Sequence, residues 1–300
     1  MNNLAIAIVS GGRAGSLFER AMTPRFFGNM PWFLYVHAEE LRAYERAVAE
    51  AEAKNVTIRP IPDELDYHQS LDYAVSDLYL QGFEKALIAD DDRVIDFWPN
   101  QSLKKSHRAE PEEVERCLLE MASVCSDGIP LVGCRLRGFC WKDNTPFTLA
   151  GKCVGMQMLY LPRVVNRFKF SWKAKSMHDH HMLAQILSEG LLAVTYNKLL
   201  HDDRFGHMHA SGCGRWRTVK MHSDAAKLME HEFPNAVRSR LKSYVNGEPL
   251  HDIIFTASKL LDLHVHIRLF GDKYLNQIRP FLNEKQRDMI DVAIQDYSVQ

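Results

Sequence analysis

The sequence contains no apolar run of the roughly 20 residues that a membrane-spanning helix needs. Its first apolar run, Leu4 to Val9, follows no basic leader and stops at Ser10-Gly11-Gly12, which predicts a buried strand and not a signal peptide. The six cysteines include no Cys-x-x-Cys pair, so a zinc site of that type is not expected. Internal repeats and low-complexity tracts are also missing. These absences predict a cytoplasmic protein with free thiols and no membrane partner.

Neither sign of charge is in excess, because the formal net charge is −1. The overall balance therefore neither favours nor excludes a nucleic acid. The bases are unevenly distributed, however: between Gly128 and Met177 nine Lys or Arg stand against a single acid, Asp143. This segment fits a face turned towards a polyanion. A set of solvated faces with no partner explains the same distribution.

Short apolar runs alternate with amphipathic segments through the first third of the chain, which is typical of an α/β fold. The alternation predicts a mostly parallel sheet with helices on both faces. Asp66 is expected to cap the second helix. The predicted strands are Leu4–Val9, Trp32–His37, Val56–Pro62 and the run that ends at Ala89, and the predicted helices are Glu39–Lys54 and a segment from Asp66 to about Leu80.

Further along, Pro99 to Pro111 is expected to be a loop and Glu112 to Ser123 a helix. From Thr218 onwards the pattern predicts helices, with Gly247-Glu248-Pro249 as a linker and a new helix from Asp252. We therefore expect a core over residues 1–217 and a C-terminal helical region, residues 218–300, packed on it. The remaining predicted strands are Pro130–Arg137, Gly155–Leu161 and Leu192–Tyr196.

Three consecutive acids, Asp90, Asp91 and Asp92, follow a short apolar run that predicts a buried strand. Adjacent carboxylates repel one another, but a divalent cation neutralises them. Because side chains at alternate positions of a strand point the same way, Asp90 and Asp92 could share one ion while Asp91 faces elsewhere. The acids would lie at the carboxyl end of the strand, where ligands bind in open α/β sheets. The alternative is a solvated acidic turn.

The turn after the first strand, Ser10 to Ser16, is rich in glycine. Gly11 and Gly12 permit close approach of a ligand, and Arg13 is placed to meet a phosphate. This pattern favours a nucleotide at the turn, although a simple tight turn remains possible.

Two later stretches also carry chemistry. Asp179 lies among histidines at the start of a helix, where it is either a helix cap or a general base. His207 and His209 precede a glycine-rich piece that ends in Arg215 and Arg217. That stretch is what a lid over a metal-bound diphosphate needs, and an ordinary polar loop is its competing explanation.

The motifs YVHAEE, LIADDDRVI, GMQMLYLPR, HDHHMLAQILSEG and FPNAV occur in an order that resembles the GT-A nucleotide-sugar glycosyltransferases. Within that fold the chain is most similar to the family associated with TET/JBP DNA-base hydroxylases. Members of that family occur largely in bacteriophages and glycosylate hydroxymethylated pyrimidines in DNA. The resemblance covers about Leu4 to Val237. The sequence differs from the usual family pattern at the turn GGRAGS and at His178-Asp179, where the family usually has two acids.

The resemblance implies a Rossmann-like GT-A core that transfers a sugar from a UDP-sugar with Mn²⁺ or Mg²⁺. It implies that Asp179 is the base that deprotonates the acceptor hydroxyl. Asp90 and Asp92, with His207 or His209, would hold the metal. The implied nucleotide contacts are Ser10, Gly11, Gly12, Arg13, Asp90, Asp91, Arg215 and Arg217, and the implied DNA contacts are Arg135, Arg137, Lys152, Arg163 and Lys169.

Three other functions fit the same residues. A sugar-phosphate nucleotidylyltransferase shares the nucleotide-binding core, but its Gly-Gly-x-Gly-x-Arg turn places the arginine at a spacing that is not found here. A GT-A enzyme that acts on a glycan, lipid or protein is a second alternative. A nucleotide- or DNA-binding protein that has lost turnover is the third, and metal-dependent hydrolysis of a UDP-sugar separates it from the enzymes.

Overall fold

The structure, a computed structural model, describes residues 3–18, 27, 30–91, 94–100, 105–137, 145–151, 153, 155–170, 174–202 and 218–299. Among these described residues there are nine α-helices and twelve strands. No described helix has both the length and the apolar character that crossing a membrane requires.

The strands are β1 (Leu4–Val9), β2 (Trp32–His37), β3 (Val56–Ile61), β4 (Lys85–Asp90), β5 (Val94–Asn100), β6 (Lys105–Arg108), β7 (Leu131–Leu136), β8 (Phe147–Leu149), β9 (Met156–Tyr160), β10 (Ala193–Asp202), β11 (Val237–Val245) and β12 (Glu248–Phe255). The helices are α1 (Leu41–Glu50), α2 (Tyr67–Leu80), α3 (Pro111–Val124), α4 (Leu161–Val164), α5 (His178–Ser188), α6 (Val219–Glu232), α7 (Leu263–Phe270), α8 (Lys273–Ile278) and α9 (Glu284–Val299).

Ten of the described strands form one sheet in the order β3-β2-β1-β4-β9-β7-β10-β5-β6, with β8 paired to β10. The strands β5, β8 and β9 run against the others, so the sheet is mixed but mostly parallel. Strands β1 to β4 form a continuous parallel unit, in which Val9 of β1 is level with Asp90 of β4. The carboxyl ends of β1 and β4 therefore meet at one edge.

Helices cover both faces of this sheet because its central strands are apolar on both sides. In β1, Ile6 and Ile8 pack into one core with α1, α3 and the last three helices. Ala5, Ala7 and Val9 pack into the other core with α2, α5 and α6. The predicted arrangement of a mostly parallel sheet between two helical layers is confirmed.

Helix α2 begins where the sequence predicts. The side chain of Asp66 accepts hydrogen bonds from the backbone N–H groups of His68 and Gln69, each at 3.0 Å. The Gln69 side chain accepts one from the Asp66 backbone N–H at 2.9 Å. This reciprocal capping box satisfies amide groups that a helix start otherwise leaves unpaired, so the predicted role of Asp66 as the helix cap is confirmed.

Two predicted segments are wrong. The expected loop from Pro99 to Pro111 contains the end of β5 and the strand β6, which pair in an antiparallel manner. The hairpin β11–β12 occupies a stretch for which helices are expected: β11 replaces the helical pattern after Phe233, and β12 runs from the expected linker through Asp252, where a new helix is expected. Its turn is Asn246-Gly247, with φ of 52° and 81°, and this dipeptide favours the two-residue turns of hairpins. The next helix, α7, begins only at Leu263, where the Asp262 side chain accepts from the Val265 N–H at 2.9 Å.

The region after Thr218 packs against both faces of the sheet. Helix α6 and the hairpin contribute Met229, Val237 and Phe255 to the core beneath α2 and α5. The last three helices contribute to the opposite core, including Ile267 and Leu275. The region is therefore not a separate helical layer, and the division of the chain at residue 217 stays a prediction.

Candidate functional site

A cavity of about 500 Å³ opens at the carboxyl edge of the parallel strands. Residues of the loop after β1 form one of its walls, and the start of α2 forms another. The position is the one at which open α/β sheets bind ligands. The lining residues are Val9, Ser10, Gly11, Gly12, His37, Glu40, Leu65, Asp66, Tyr67, His68, Ser70, Lys175 and Met221.

Asp91 ties the loop after β1 to the end of β4. Its carboxylate is buried and accepts a hydrogen bond of 2.5 Å from the Ser10 hydroxyl. The Arg13 guanidinium forms an ion pair with the same carboxylate. The backbone N–H of Ser10 donates to the Tyr35 carbonyl at 3.0 Å, which continues the pairing with β2. Arg13 and Asp91 thus neutralise each other, and their predicted contacts with a nucleotide stay predictions.

Glu40 fixes the backbone of the glycine loop, the turn from Ser10 to Ser16 after β1. The sequence does not predict a site role for this acid. The Gly12 N–H donates to both carboxylate oxygens of Glu40, at 2.9 and 3.0 Å. Gly12 has a φ of 69°, a conformation that glycine adopts without strain. A carboxylate at this place repels phosphate but accepts hydrogen bonds from hydroxyl or ring N–H donors. The loop around Gly12 therefore suits a ribose or base better than a phosphate.

Tyr44 supports the same loop from helix α1. Its hydroxyl lies 2.7 Å from the Ser10 hydroxyl and accepts a hydrogen bond of 3.2 Å from the Arg13 N–H. Burial raises the pKa of Tyr44 to about 12, so the phenol stays protonated. Ser10, Tyr44 and Asp91 together form a buried network that holds the loop in one conformation.

Asp90, the last residue of β4, is held from helix α2. The Tyr67 hydroxyl donates a hydrogen bond of 2.8 Å to Oδ1 of Asp90. The Tyr67 ring makes edge contacts with His68 and His178, at centroid distances of 5.5 and 5.8 Å. Asp90 and Asp91 thus engage different elements, in agreement with the alternation of side chains along a strand.

Asp179 lies in the first turn of α5, and its Oδ1 accepts a hydrogen bond of 2.8 Å from the His180 N–H. Its backbone carbonyl is 3.4 Å from the side-chain amide of Gln157, a residue of β9 that is level with Ile88 of β4. The preceding residue, His178, packs on Tyr67. These contacts place the start of α5 beside the end of β4, near Asp90. The role of Asp179 as a base stays a prediction.

Lys175 brings a positive charge into the cavity. Its ammonium group lies 3.1 Å from Oδ2 of Asp66. Burial raises the pKa of Asp66, but hydrogen bonds from the Gln69 N–H and Lys175 outweigh it, so the net pKa is lowered. Lys175 belongs to the basic segment between Gly128 and Met177, and its sequence neighbours do not predict a place in this site. Met221 of α6 also lines the cavity, so an element beyond residue 217 contributes to it.

The residues fit a divalent cation in part. Asp90 presents a carboxylate beside Tyr67, which lines the cavity, and carboxylate oxygens are the ligands that Mg²⁺ and Mn²⁺ prefer. Among the described residues no three His, Cys, Asp or Glu form a metal-binding group. The other predicted ligands, Asp92, His207 and His209, lie outside the described residues, as do Arg215 and Arg217.

The described residues among the predicted DNA contacts differ in exposure and in partners. Arg135 is buried and donates to Oδ1 of Asn197 at 2.7 Å, and its predicted contact with DNA stays a prediction. The residues that precede it in β7 are buried as well. Arg137 pairs with Asp96 at 2.9 Å, and Arg163 donates two hydrogen bonds of 2.7 Å to Asp127. Lys169 is exposed, and Lys152 lies outside the described residues.

Comparison with known proteins is informative at the level of structure. No protein-family model matches the sequence, and no curated protein matches it. TarS residues 1–349 from S. aureus in complex with UDP-GlcNAc aligns with a TM-score of 0.52 at 12% identity, over 98% of this chain and 80% of that chain. TarS 1–349 alone gives 0.49 at 10% identity, over 95% and 77% of the two chains. A mannose-1-phosphate geranyltransferase from Thermus thermophilus gives 0.33 at 12% identity, over 62% and 63%.

At these identities the likeness concerns the fold, and of these three alignments only the one with the UDP-GlcNAc complex exceeds a TM-score of 0.5. The alignment with that complex covers 98% of this chain, including the sheet and the cavity at the carboxyl ends of β1 and β2. The chain therefore shares the mostly parallel α/β fold of TarS 1–349, and the predicted fold class is confirmed.

Proposed function

We propose that this protein is a glycosyltransferase that moves a sugar from a UDP-sugar to a hydroxyl acceptor, with Mn²⁺ or Mg²⁺ as cofactor. One observation carries the proposal. The glycine loop, Glu40 and Tyr67 line a single cavity, and Tyr67 donates a hydrogen bond to Asp90, in a fold shared with a protein that was solved with UDP-GlcNAc. A ligand with a base, a ribose, a diphosphate and a sugar needs both hydrogen-bond acceptors and a charged end, and this cavity offers both.

The cavity assigns different parts of the donor to different residues. Glu40 and the loop at Gly12 would accept hydrogen bonds from the ribose or the base. Lys175 supplies a positive charge for the diphosphate. A divalent cation bound by Asp90 would stabilise the negative charge of the departing UDP. Tyr67 keeps the Asp90 carboxylate in place by its hydrogen bond.

Asp179 is the proposed general base. It would take the proton of the acceptor hydroxyl while that oxygen forms a bond to the anomeric carbon and the bond from that carbon to UDP breaks. The contact of His178 with Tyr67 puts the start of α5 on the side of Asp90. Arg215 and Arg217 remain proposed contacts of the diphosphate, and Asp92, His207 and His209 remain proposed metal ligands.

The proposed acceptor is the hydroxymethyl group of a modified pyrimidine in phage DNA, which would set the cytoplasm of an infected bacterium as the location. This step rests on the resemblance to the DNA-modifying family. A base within a duplex must leave the stack before its substituent reaches an active site. An acceptor hydroxyl on a glycan, lipid or protein is the alternative for the same donor site.

The experiment is to incubate the protein with hydroxymethylated DNA, a panel of UDP-sugars and Mn²⁺, and to analyse the nucleosides by mass spectrometry. We expect a nucleoside whose mass is increased by one sugar, and none with unmodified DNA or with the Asp179→Asn variant. UDP released without any modified nucleoside would support a glycosyltransferase with another acceptor. No UDP release under any condition would contradict the proposed reaction.

A sugar-phosphate nucleotidylyltransferase is the second candidate, because the glycine-rich loop follows β1 directly. In the structure the Arg13 guanidinium is paired with Asp91, which reduces the charge that it can offer to a nucleoside triphosphate. Pyrophosphate release from UTP and a sugar 1-phosphate would favour this candidate. Its absence, together with UDP release from a UDP-sugar, would favour the glycosyltransferase.

A further inference from the structure

Helix α9 exposes an apolar strip to solvent. Ile290 and Ala293 anchor the inner side of the helix in the core. On the outer side, 42% of Met289 and 56% of Val292 are accessible. A helix turns by about 100° per residue, so residues three, four, seven or eleven positions apart share one side. The α9 strip consists of Lys285, Met289, Val292, Asp296 and Val299.

A groove beside α9 widens the strip. It has a volume of about 840 Å³ and lies between α9 and the start of α7. Leu261 and Leu263 line the groove on the side of α7, and Met289 and Val292 line it on the side of α9. The α9 strip and the groove together form one apolar surface. Because contiguous apolar surfaces of soluble proteins mark interaction sites, this surface is a candidate interface.

The charged residues of α9 differ according to the side on which they lie. Away from the strip, Asp291 accepts two hydrogen bonds from the Arg279 guanidinium, at 2.6 and 2.5 Å. On the strip, Lys285 lies near the amino end of the helix and Asp296 near its carboxyl end. Within the described part of the chain, neither of these two forms a side-chain hydrogen bond or an ion pair. About 16 Å of helix separates them, so they cannot pair with each other and remain available to a partner.

We propose that the α9 strip binds the same strip of a second copy of this chain, with the two helices antiparallel. The argument is that the strip is complementary to itself. A two-fold axis between positions 290 and 291 places Lys285 opposite Asp296 of the partner subunit, because both residues are equally far from that axis. The same axis places Met289 opposite Val292 of the partner subunit. One symmetry operation thus satisfies both the charges and the apolar residues, as an interface between identical surfaces requires.

The neighbouring acid and the alternative orientation support the antiparallel arrangement. Asp288 borders the strip, and the two-fold axis brings it close to Gln295 of the partner subunit, whose side-chain amide is a hydrogen-bond donor. In a parallel pair, Lys285 would face its own counterpart and Asp296 would do the same. Like charges that face each other across an interface repel. The order of charges along α9 therefore favours the antiparallel pair.

The proposed interface is small, which sets the expected affinity. Helix α9 has 16 residues and is therefore about 24 Å long. A contact of this length should bury less than the roughly 800 Å² per subunit of a standard interface. We expect a reversible dimer with a dissociation constant on the order of 10 μM. No residue of α7 or α9 is among those that line the candidate-site cavity, so dimerisation leaves both cavities open.

The test is sedimentation equilibrium of the full chain from about 1 to 200 μM, a range that brackets the expected dissociation constant. The wild type should show a monomer–dimer equilibrium. Lys285→Glu and Asp296→Lys should each weaken it about tenfold or more, because each reversal replaces two ion pairs of the dimer with two repulsive contacts. The matched control is Arg287→Glu, which makes the same reversal two positions away on the opposite side of the helix. It should leave the equilibrium unchanged.

A mixture of the two weakened variants tests the pairing itself. In a mixed dimer of Lys285→Glu and Asp296→Lys, each introduced charge faces an opposite charge of the other chain, so the mixture should dimerise about as well as the wild type. The double variant Lys285→Glu/Asp296→Lys should do so alone. Val292→Asp should abolish dimerisation, because it buries an unpaired charge at the centre of the interface. Below about 1 μM, where the chains are monomeric, all the variants should melt at the wild-type temperature.

Three results would overturn the proposal. A wild type that stays monomeric over the whole range does not pair through α9. A dimer that both Lys285→Glu and Val292→Asp leave intact forms through another surface. If Val292→Asp dissociates the dimer but the mixed variants do not associate, the second copy binds in another orientation and the antiparallel pairing is wrong. No donor or acceptor enters these measurements, so none of the results bears on the proposed function.

Discussion

The hydroxyl of Tyr67, at the start of α2, donates a hydrogen bond of 2.8 Å to the carboxylate of Asp90, at the end of β4. The two residues are 23 positions apart in the sequence. The bond fixes one oxygen of the acid that is proposed to hold the metal, and it links the capped end of α2 to the edge of the sheet. A group that orients a ligand in this way typically affects affinity or activity 10- to 100-fold.

Replacing Tyr67 with Phe should therefore lower kcat/KM for UDP-sugar hydrolysis about 10- to 100-fold. The ring and its contacts with His68 and His178 remain, so the fold should survive. The Mn²⁺ concentration for half-maximal activity should rise, which a merely structural role would not cause. Tyr79→Phe, at an exposed position of the same helix, is the control. Unchanged metal dependence in Tyr67→Phe would contradict the positioning role.

The Asp→Asn substitutions at Asp90 and Asp91 should affect different properties, turnover in the first and stability in the second. Asp90→Asn should abolish turnover and leave the free energy of unfolding nearly unchanged. Asp91→Asn should lower that free energy by about 3 kcal/mol, because it removes one partner of a buried ion pair with Arg13. Urea unfolding measures the difference. The double variant Arg13→Gln/Asp91→Asn should recover part of the lost stability, and a further loss would show that the pair is not coupled.

The stability should fall in acid partly because of His266. Burial lowers the pKa of His266 below its usual 6.5, although the hydrogen bond of 3.0 Å to the Gly190 carbonyl opposes this. As the pH falls below about 6.5, the unfolded chain takes up a proton that the folded chain resists. The contribution of neutral, buried His266 to the free energy of unfolding is therefore fully present above about pH 6.5 and is lost as the pH falls below it.

His266→Phe isolates this effect. At pH 8 the variant should be about 1 kcal/mol less stable, because the hydrogen bond to Gly190 is gone. Its stability should decline less steeply than that of the wild type as the pH is lowered from about 7 to 5. Denaturant unfolding at several pH values measures both quantities. His264→Gln, on the exposed side of the same helix, should keep the wild-type slope.

Gly190 lies against α7, so a substitution at this position tests how closely α7 packs on the core. A Cβ at this position would lie 2.2 Å from Cγ1 of Val265, and the φ of 74° disfavours other residues. Gly82 has a φ of 89° but nothing within 4 Å of such a Cβ. In both Gly→Ala variants the free energy of unfolding should fall by about 1 kcal/mol because of backbone strain. In Gly190→Ala it should fall by roughly 1–3 kcal/mol more, because the added methyl group overpacks the contact with Val265. Equal losses in thermal unfolding would contradict the contact.

The sequence predicts the central fold well because its signals are local. The strand β1 is apolar on both faces, and Asp66 and Gln69 have the spacing of a capping box. The hairpin β11–β12 escapes prediction for a related reason. It packs on α6 with one side, so exposed charges such as Arg238, Arg240 and Lys242 replace the apolar alternation. The Asn246-Gly247 turn is the one local signal that could have revealed it.

The site was harder to predict because its partners are distant in sequence. The acids after β4 are visible as a cluster, and their different orientations follow from strand geometry. The bond from Gly12 to Glu40 spans 28 residues and that from Arg13 to Asp91 spans 78. The sequence around Glu40 and around Lys175 contains no local signal that predicts a position at the cavity. Arg135 likewise finds its partner far away in the sequence, since its hydrogen bond to Asn197 spans 62 residues.

Asp66 has two roles, as the cap of α2 and as the partner of Lys175, and these roles couple the cavity to α2. One carboxylate both begins α2 and holds Lys175 at the cavity. An anion that draws Lys175 towards itself removes a stabilising neighbour from that carboxylate, so it perturbs the first turn of α2, where Tyr67 contacts Asp90. Free energies of this kind are reciprocal. Binding of an anion at Lys175 and the ordering of Asp90 by Tyr67 are therefore linked equilibria, connected by the capped first turn of α2.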